Sequence, residues 1–332
     1  MKEGTPLAVA NYFQNLYHTH NPRKAFMRIL ITGGTGFIGS LLIPRLTKEG
    51  HHVVVLTRTP GSVRLSSQLV EAEHWDGVHP GPWINRIERV DAIINLAGEN
   101  IADKRWTRSR KQMLIDSRIQ STRAIVDAIR HAPKKPSVLI NASAVGYYGS
   151  VEEADVVENF SRGNDFLSEL CWAWEQEAWN AERMGVRVVR LRFGIILDRK
   201  AGALKKLILP FRLYAGGWLG SGRQWFPWIH SDDLVGIIMF ALEHTDLSGP
   251  VNVAAPEHVT NKEFSLELGR VMRRPCWAPV PGFVLRLALG ELAGMILTGQ
   301  RVIPEKLLNA GYEFRYPTLT RSLEAIFSYP PA

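Results

Sequence analysis

Arg28-Ile29-Leu30-Ile31-Thr32-Gly33-Gly34-Thr35-Gly36-Phe37-Ile38-Gly39 leads an apolar stretch into a glycine-rich turn, and the turn into a candidate helix. Gly33, Gly36 and Gly39 stand at G-x-x-G-x-x-G spacing. The first lets the chain turn sharply off a strand. The second removes a Cβ where backbone must approach a pyrophosphate, and the third lets the helix lie close to the strand. A helix starting there presents unpaired N–H groups and positive dipole to phosphates. A glycine pattern alone is weak in a chain with 28 glycines. The preceding strand, the following helix and a second apolar run, Val53-Val54-Val55-Leu56, give it context.

That second run ends in Thr57-Arg58-Thr59. In a dinucleotide fold this is where the adenosine ribose is read, and an acid there accepts from the 2′-OH of NAD. Arg58 stands there instead, and a guanidinium pairs with a 2′-phosphate, so NADP is the expected cofactor. A solvated arginine at a strand end is the plainer alternative.

Going outward, apolar runs and helical patterns alternate. Residues 91–98 read as a buried strand with a small-residue turn, and 107–131 as a long helix with Leu114, Ile125 and Ile129 on one face. Residues 137–143 form a fifth strand, 163–184 a helix carrying Trp172, Trp174 and Trp179, and 186–192 a sixth strand. Arg118, inside the long helix, could reach the cofactor phosphates or be an ordinary surface arginine. This alternation predicts an α/β, Rossmann-type doubly wound parallel sheet. From residue 201 the character changes to Gly and Pro punctuation with shorter elements, which reads as a smaller, discontinuous C-terminal substrate lobe. The expected division is 1–26, a disordered extension; 27–200, the nucleotide domain, with later segments returning to it; and 201–332, mainly the second lobe.

The chain has 332 residues, is 45% apolar and 22% charged, and carries a formal net charge of +8. The basic residues are scattered and no nucleic-acid motif accompanies them, so a nucleic-acid partner is not expected. The longest apolar helix candidate, 283–297, contains Arg286 and Glu291 and is too short to span a bilayer; no membrane partner is expected. Two distant cysteines, Cys171 and Cys276, argue against a metal site or disulfide framework and fit a reducing, cytoplasmic setting. A small-molecule substrate and a monomer or homodimer complete the expectation.

Five blocks in order then resemble one family. They are Thr32 to Gly39; Asn95-Leu96-Ala97-Gly98-Glu99-Asn100-Ile101; Asn141-Ala142-Ser143-Ala144-Val145-Gly146-Tyr147-Tyr148-Gly149; Phe226-Pro227-Trp228-Ile229-His230; and Gly299-Gln300-Arg301-Val302-Ile303-Pro304 with Ala310-Gly311-Tyr312. Over residues 27–326 the chain resembles the extended short-chain dehydrogenases/reductases, in particular the atypical "epimerase family" branch that includes the YfcH-like bacterial proteins. The resemblance implies NADP contacts at Gly33, Thr35, Gly36, Phe37, Ile38 and Gly39, at Arg58 and Thr59, at Leu96 and Ala97, at Arg118 and at Ile195.

Two departures shape the functional expectation. Active members of the wider superfamily place a serine after the fifth strand and Tyr-x-x-x-Lys on the next helix, where the lysine lowers the tyrosine pKa. Ser143 matches the serine. With Glu175 setting the register, Leu167 takes the tyrosine place and Cys171 the lysine place, so the proton relay is absent. Tyr147, next to Tyr148, is the expected replacement acid; both packing as ordinary aromatics is the alternative. Where nucleotide-sugar enzymes carry an arginine clamp, Phe226 stands in Gln224-Trp225-Phe226-Pro227-Trp228-Ile229-His230, which predicts an apolar, aromatic wall and argues against a nucleotide sugar. His230 and Asp232 read as positioning the following helix. The expectation is an NADP-dependent oxidoreductase acting on a small carbonyl or alcohol, with Ser143 and Tyr147 at the reacting atoms; a non-catalytic NADPH-binding regulator and a nucleotide-sugar epimerase are the rivals.

Overall fold

The computed structural model describes residues 26–63 and 67–328. The expected extension lies, Phe26 apart, outside them. Seven parallel strands form the central sheet: β1 (Arg28–Thr32), β2 (His52–Thr57), β3 (Val70–His74), β4 (Ala92–Asn95), β5 (Val138–Ala144), β7 (Arg187–Phe193) and β10 (Gly249–Val253). Their spatial order is β10-β7-β5-β4-β1-β2-β3. The order reverses between β1 and β4, and the crevice beyond the carboxyl ends of such a pair is where doubly wound sheets bind ligands.

The strands are apolar on both faces because helices cover both. Ile29, Ile31, Val53, Val55, Val138 and Ile140 face helices α1 (Phe37–Lys48) and α5 (Ser231–Glu243). The alternate residues Leu30, Leu56, Ile93, Leu139 and Val188 pack beneath helix α2 (Arg108–His131) and the end of α3 (Phe166–Trp179). Helices α2 and α3 each start at a side-chain cap. Thr107 accepts from the Arg110 N–H, and Asp165 accepts from that of Ser168. Pro44 sits inside α1 without ending it.

The remaining elements sit around the sheet's carboxyl edge. They include helix α4 (Gly202–Arg212), the paired strands β8 (Ile195–Leu197) and β9 (Trp228–His230), and helix α6 (Asn261–Met272). Strand β6 (Val151–Val156) pairs with β11 (Gln300–Val302). The single helix expected over 283–297 is two, α7 (Gly282–Leu289) and α8 (Leu292–Leu297), because Gly290 adopts φ +62 between them. Helices α9 (Glu305–Asn309) and α10 (Leu319–Ser328) close the described chain.

His230 and Asp232 act as the sequence suggests, in positioning, and Asp233, which the sequence did not single out, joins them. The His230 ring nitrogen accepts from the Asp232 N–H at the start of α5. Buried Asp233 accepts from the main-chain N–H groups of Arg315 (2.7 Å) and Tyr316 (2.9 Å), and the Tyr312 hydroxyl donates to its carbonyl. One carboxylate thus clips the C-terminal segment to the nucleotide domain. Asp233→Ala leaves two main-chain donors without their acceptor and should lower stability by about 3 kcal/mol. Urea unfolding measures that loss, and limited proteolysis should show cleavage near residues 312–316 only in the variant.

Candidate functional site

The glycine turn is held by backbone contact. Gly33 has φ +66, and a Cβ there would lie 2.6 Å from the Leu96 carbonyl oxygen. At Gly39 a Cβ would lie 2.3 Å from the Gly34 carbonyl oxygen, so the helix can rest on the turn only with glycine. Gly36 differs: a Cβ there would meet only the Gly33 carbonyl oxygen, at 3.1 Å. It is exposed and leaves its approach clear for a ligand. Helix α1 starts at Phe37 with no side-chain cap and no acid in its first turn. Its first N–H groups, with the dipole behind them, suit a pyrophosphate. The residues present therefore fit a dinucleotide, with Thr35 exposed and Phe37 and Ile38 half-buried around the turn.

Arg58 follows the last residue of β2 and is exposed. Among the described residues it has no ion-pair partner. Thr59 beside it shares a 2.8 Å hydrogen bond with Ser62, and its N–H donates to the Thr57 hydroxyl. Leu96 and Ala97 lie against Gly33 on the other side of the turn. Arg118 faces the same loop, where its guanidinium donates to the carbonyl oxygens of Leu114 and Glu99 and lies 5.1 Å from the Trp174 ring centre. It braces residues 98–99 together with Ser117, whose hydroxyl accepts from the Glu99 N–H. Ile195 opens β8, its N–H donating to the Pro227 carbonyl at 2.7 Å.

Under the crevice lies a buried polar row that the sequence reading passed over. The Thr32 hydroxyl donates to Asn95 Oδ1 (2.5 Å), while Asn95 Nδ2 donates to Thr122 Oγ1 (2.8 Å) and Asn141 Oδ1 (2.6 Å). Trp174 Nε1 donates to the same threonine. The Ala97 N–H donates to the Thr32 hydroxyl, which ties the row to the loop. Thr32, Asn95 and Asn141 occupy one register line across β1, β4 and β5. Each ends or interrupts an apolar strand, and that recurrence was the available signal.

Ser143 and Tyr147 are brought together, though through a third residue. Arg192, on β7 opposite Ser143, makes a bidentate pair with Glu175 of α3, Nε to Oε1 at 2.7 Å and Nη2 to Oε2 at 2.8 Å. The Ser143 hydroxyl donates to the same Oε1 at 2.7 Å. The guanidinium lies 3.5 Å from the Tyr147 ring centre and donates to the Tyr148 hydroxyl, which donates to Asn252. Ser143, Glu175 and Arg192 are at most 3% exposed. Burial works against the Arg192 charge, but the hydrogen bonds and charge of Glu175 outweigh it and hold the guanidinium firmly protonated. Burial pushes the Tyr148 hydroxyl up to about 12. In this arrangement the Ser143 hydroxyl donates its hydrogen bond to a buried carboxylate and does not face an open cleft. Tyr147 is half-buried, and its hydroxyl makes no hydrogen bond among the described residues.

Leu167 and Cys171 lie under the turn that follows β5. A Cβ built on Gly146 would lie 3.3 Å from Leu167 Cβ and 3.9 Å from Cys171 Sγ. Neither can carry a proton near neutrality, since burial pushes the Cys171 thiol up to about 12. The predicted aromatic wall is not a wall. Phe226 is buried and stacked on Phe264 at 4.1 Å, and Trp228 is buried in the same core. Loss of the arginine clamp stands, but its replacement feeds core packing rather than a substrate surface. Among the described residues no group of three or more His, Cys, Asp and Glu could hold a metal ion.

Comparison with known proteins agrees with this geometry. The model of the NAD dependent epimerase/dehydratase family matches residues 29–254, and a domain of unknown function, DUF1731, matches residues 280–326. Epimerase family protein YfhF of Bacillus subtilis is 41% identical over 303 residues, 91% of this chain and 98% of that protein. The chloroplastic SDR39U1 homolog of Arabidopsis thaliana is 40% identical, over 92% of this chain and 88% of its own. The crystal structure of human epimerase family protein SDR39U1 (isoform 2), solved with NADPH, superposes with a TM-score of 0.80 at 35% identity, covering 91% of this chain and 99% of that one. UDP-glucuronic acid 4-epimerase of Bacillus cereus, at 18% identity and a TM-score of 0.73, shares the fold. The chain belongs to the NAD dependent epimerase/dehydratase family, within the extended short-chain dehydrogenase/reductase superfamily.

The Arg192–Glu175 pair gives this site its sharpest stability test. Removing one partner strands a buried charge, so Glu175→Ala should lower stability by about 3–5 kcal/mol. Chemical denaturation reads this directly. A loss below about 1 kcal/mol would mean that water reaches Arg192 and that the cluster is not dry.

Proposed function

We propose that this protein binds NADPH at the glycine turn and passes hydride between it and a small carbonyl or alcohol. The observation that carries the cofactor half is Arg58, exposed and without an ion-pair partner among the described residues at the end of β2, where an acid would select NAD. The human relative solved with NADPH supports the same choice. Bound NADPH supplies the hydride; the chain supplies phosphate binding by the uncapped α1 terminus and 2′-phosphate recognition by Arg58. Tyr147 is the proposed proton donor because its hydroxyl has no hydrogen-bond partner among the described residues and its ring is fixed by Arg192. Ser143, committed to Glu175, is a positioning residue in this reading rather than a substrate ligand.

The rival reading has its own observation. With Leu167 and Cys171 at the relay positions and Ser143 buried, the site is better built to hold a cofactor than to move a proton. A non-catalytic NADPH-binding regulator is the second reading. A nucleotide-sugar epimerase ranks third, because Phe226 leaves no clamp for a diphosphate.

Calorimetry should show NADPH binding at least tenfold more tightly than NADH, with the preference abolished in Arg58→Ala. Equal affinities in the parent protein would remove the Arg58 argument. A panel of small aldehydes and ketones, followed by NADPH absorbance, separates the first two readings. Turnover that falls at least a hundredfold in Tyr147→Phe with NADPH affinity unchanged supports the oxidoreductase. Cofactor binding with no turnover across the panel supports the regulator.

A further inference from the structure

Part of the net charge of +8 lies in two segments without acidic residues. Residues 199–231 contain no aspartate or glutamate, and neither do residues 268–290. The two segments run side by side: Gly216 bridges Cys276 in parallel, Leu219 bridges Val280, and the Trp277 N–H donates to the Gly216 carbonyl. Where they meet, Leu213, Tyr214 and Trp277 are 70%, 57% and 67% exposed. Leu209, one turn earlier on α4, is exposed as well. Trp277 Nε1 donates to the Tyr214 carbonyl, and the Arg274 guanidinium lies 4.5 Å from the Tyr214 ring centre. Arg212 and Arg273 flank these residues in sequence, are exposed, and form no ion pair among the described residues.

The backbone adds an independent sign. Tyr214 (φ 60) and Arg273 (φ 54) are the only non-glycine residues among those described that adopt positive φ. Both terminate helices, at positions where glycine is the unstrained choice. Tyr214 therefore holds a large aromatic side chain in water at a conformational cost that glycine would avoid. Strain retained next to exposed aromatics points to a use for the side chain.

We propose that this surface docks on an anionic lipid membrane. Leu213 and Leu209 would enter the acyl boundary, with Tyr214 and Trp277 at headgroup level. Arg212, Arg273 and Arg274 meet the negative surface charge, with no acid in either segment to oppose them. The charge complementarity excludes a second copy, since two such faces would repel one another. The aliphatic pair favours lipid over a nucleic acid, which would call for stacking partners and phosphate contacts alone. Among the described residues no helix is long and apolar enough to cross a membrane, so the contact is peripheral. This revises the sequence-based expectation of no membrane partner and does not depend on the proposed chemistry.

Co-sedimentation of the full chain with phosphatidylcholine vesicles, with and without phosphatidylserine, tests it. Binding should require phosphatidylserine and weaken as salt rises from about 0.1 to 0.5 M. Arg273→Ala and Arg274→Ala should each weaken it about fivefold, and Trp277→Ala about tenfold, with NADPH affinity unchanged in all three. Tyr214→Gly should weaken vesicle binding while raising Tm by about 2 °C, which separates loss of docking from loss of fold. Absence of binding, equal binding to both vesicle types, or indifference to the Trp277 and Arg274 substitutions overturns the proposal. So does tighter binding to single-stranded DNA or RNA, lost in the same variants, which would give the surface to a nucleic acid.

Discussion

The crevice depends on a backbone contact with no room for a side chain. At Gly33 a Cβ would sit 2.6 Å from the Leu96 carbonyl oxygen, and at Gly39 one would sit 2.3 Å from that of Gly34. These two approaches press the turn against the exit of β4 and the helix against the turn, and so set the width of the gap where strand order reverses. The α1 terminus opens on that gap because the helix cannot stand farther off. Arg58 comes to the same edge of the sheet because β2 pairs in register with β1, Thr32 opposite Leu56.

Beneath that gap two buried polar layers have different physical characters. The Thr32–Asn95–Asn141–Thr122 row is neutral, with Thr32 and Asn95 donating within the row and the Asn141 amide donating to the Ala142 carbonyl, so its burial carries little penalty. The Arg192–Glu175 pair is ionic and must overcome a large desolvation penalty. It does so with a bidentate geometry, a third hydrogen bond from Ser143 and two more from Arg192 to Tyr148 and the Glu158 carbonyl. The pair ties β5, β7 and α3 to the 145–148 turn. It thereby fixes the Tyr147 ring against the Arg192 guanidinium. Leu167 and Cys171 pack beside Gly146 of that turn with groups that do not titrate near neutrality.

What could be read in the sequence was whatever had a fixed period or a fixed local geometry. The parallel sheet followed from apolar runs alternating with capped helices, and the cofactor turn from three glycines at the spacing that close approach requires. Elements lacking such signals were missed. Strand β6, Val-Glu-Glu-Ala-Asp-Val, is too acidic to read as a strand and exists because β11 pairs with it. The break at Gly290 was hidden inside a continuous apolar pattern. Phe226 was assigned to a substrate wall because an aromatic in a ligand-binding motif and an aromatic in a core look alike until Phe264, 38 positions on, is seen stacked upon it. Ser143 was read by its position after the strand. Its role is decided by a glutamate and an arginine brought to it only by the sheet register and the helix that crosses it.

The same reasoning explains why the basic surface was invisible as a feature. Counted along the chain, the cations are dispersed, and charge alone gave no patch. Folding sets two acid-free segments side by side by way of the Gly216–Cys276 and Leu219–Val280 bridges. Dispersion in sequence then becomes concentration in space. Among the described residues, the two non-glycine residues with positive φ both fall at this junction. A local backbone rule broken beside an exposed surface fits selection for binding rather than stability. The cofactor turn and this surface are thus opposite cases. In the first, glycine is present because the fold and the ligand both demand it; in the second, glycine is absent where the backbone alone would favour it.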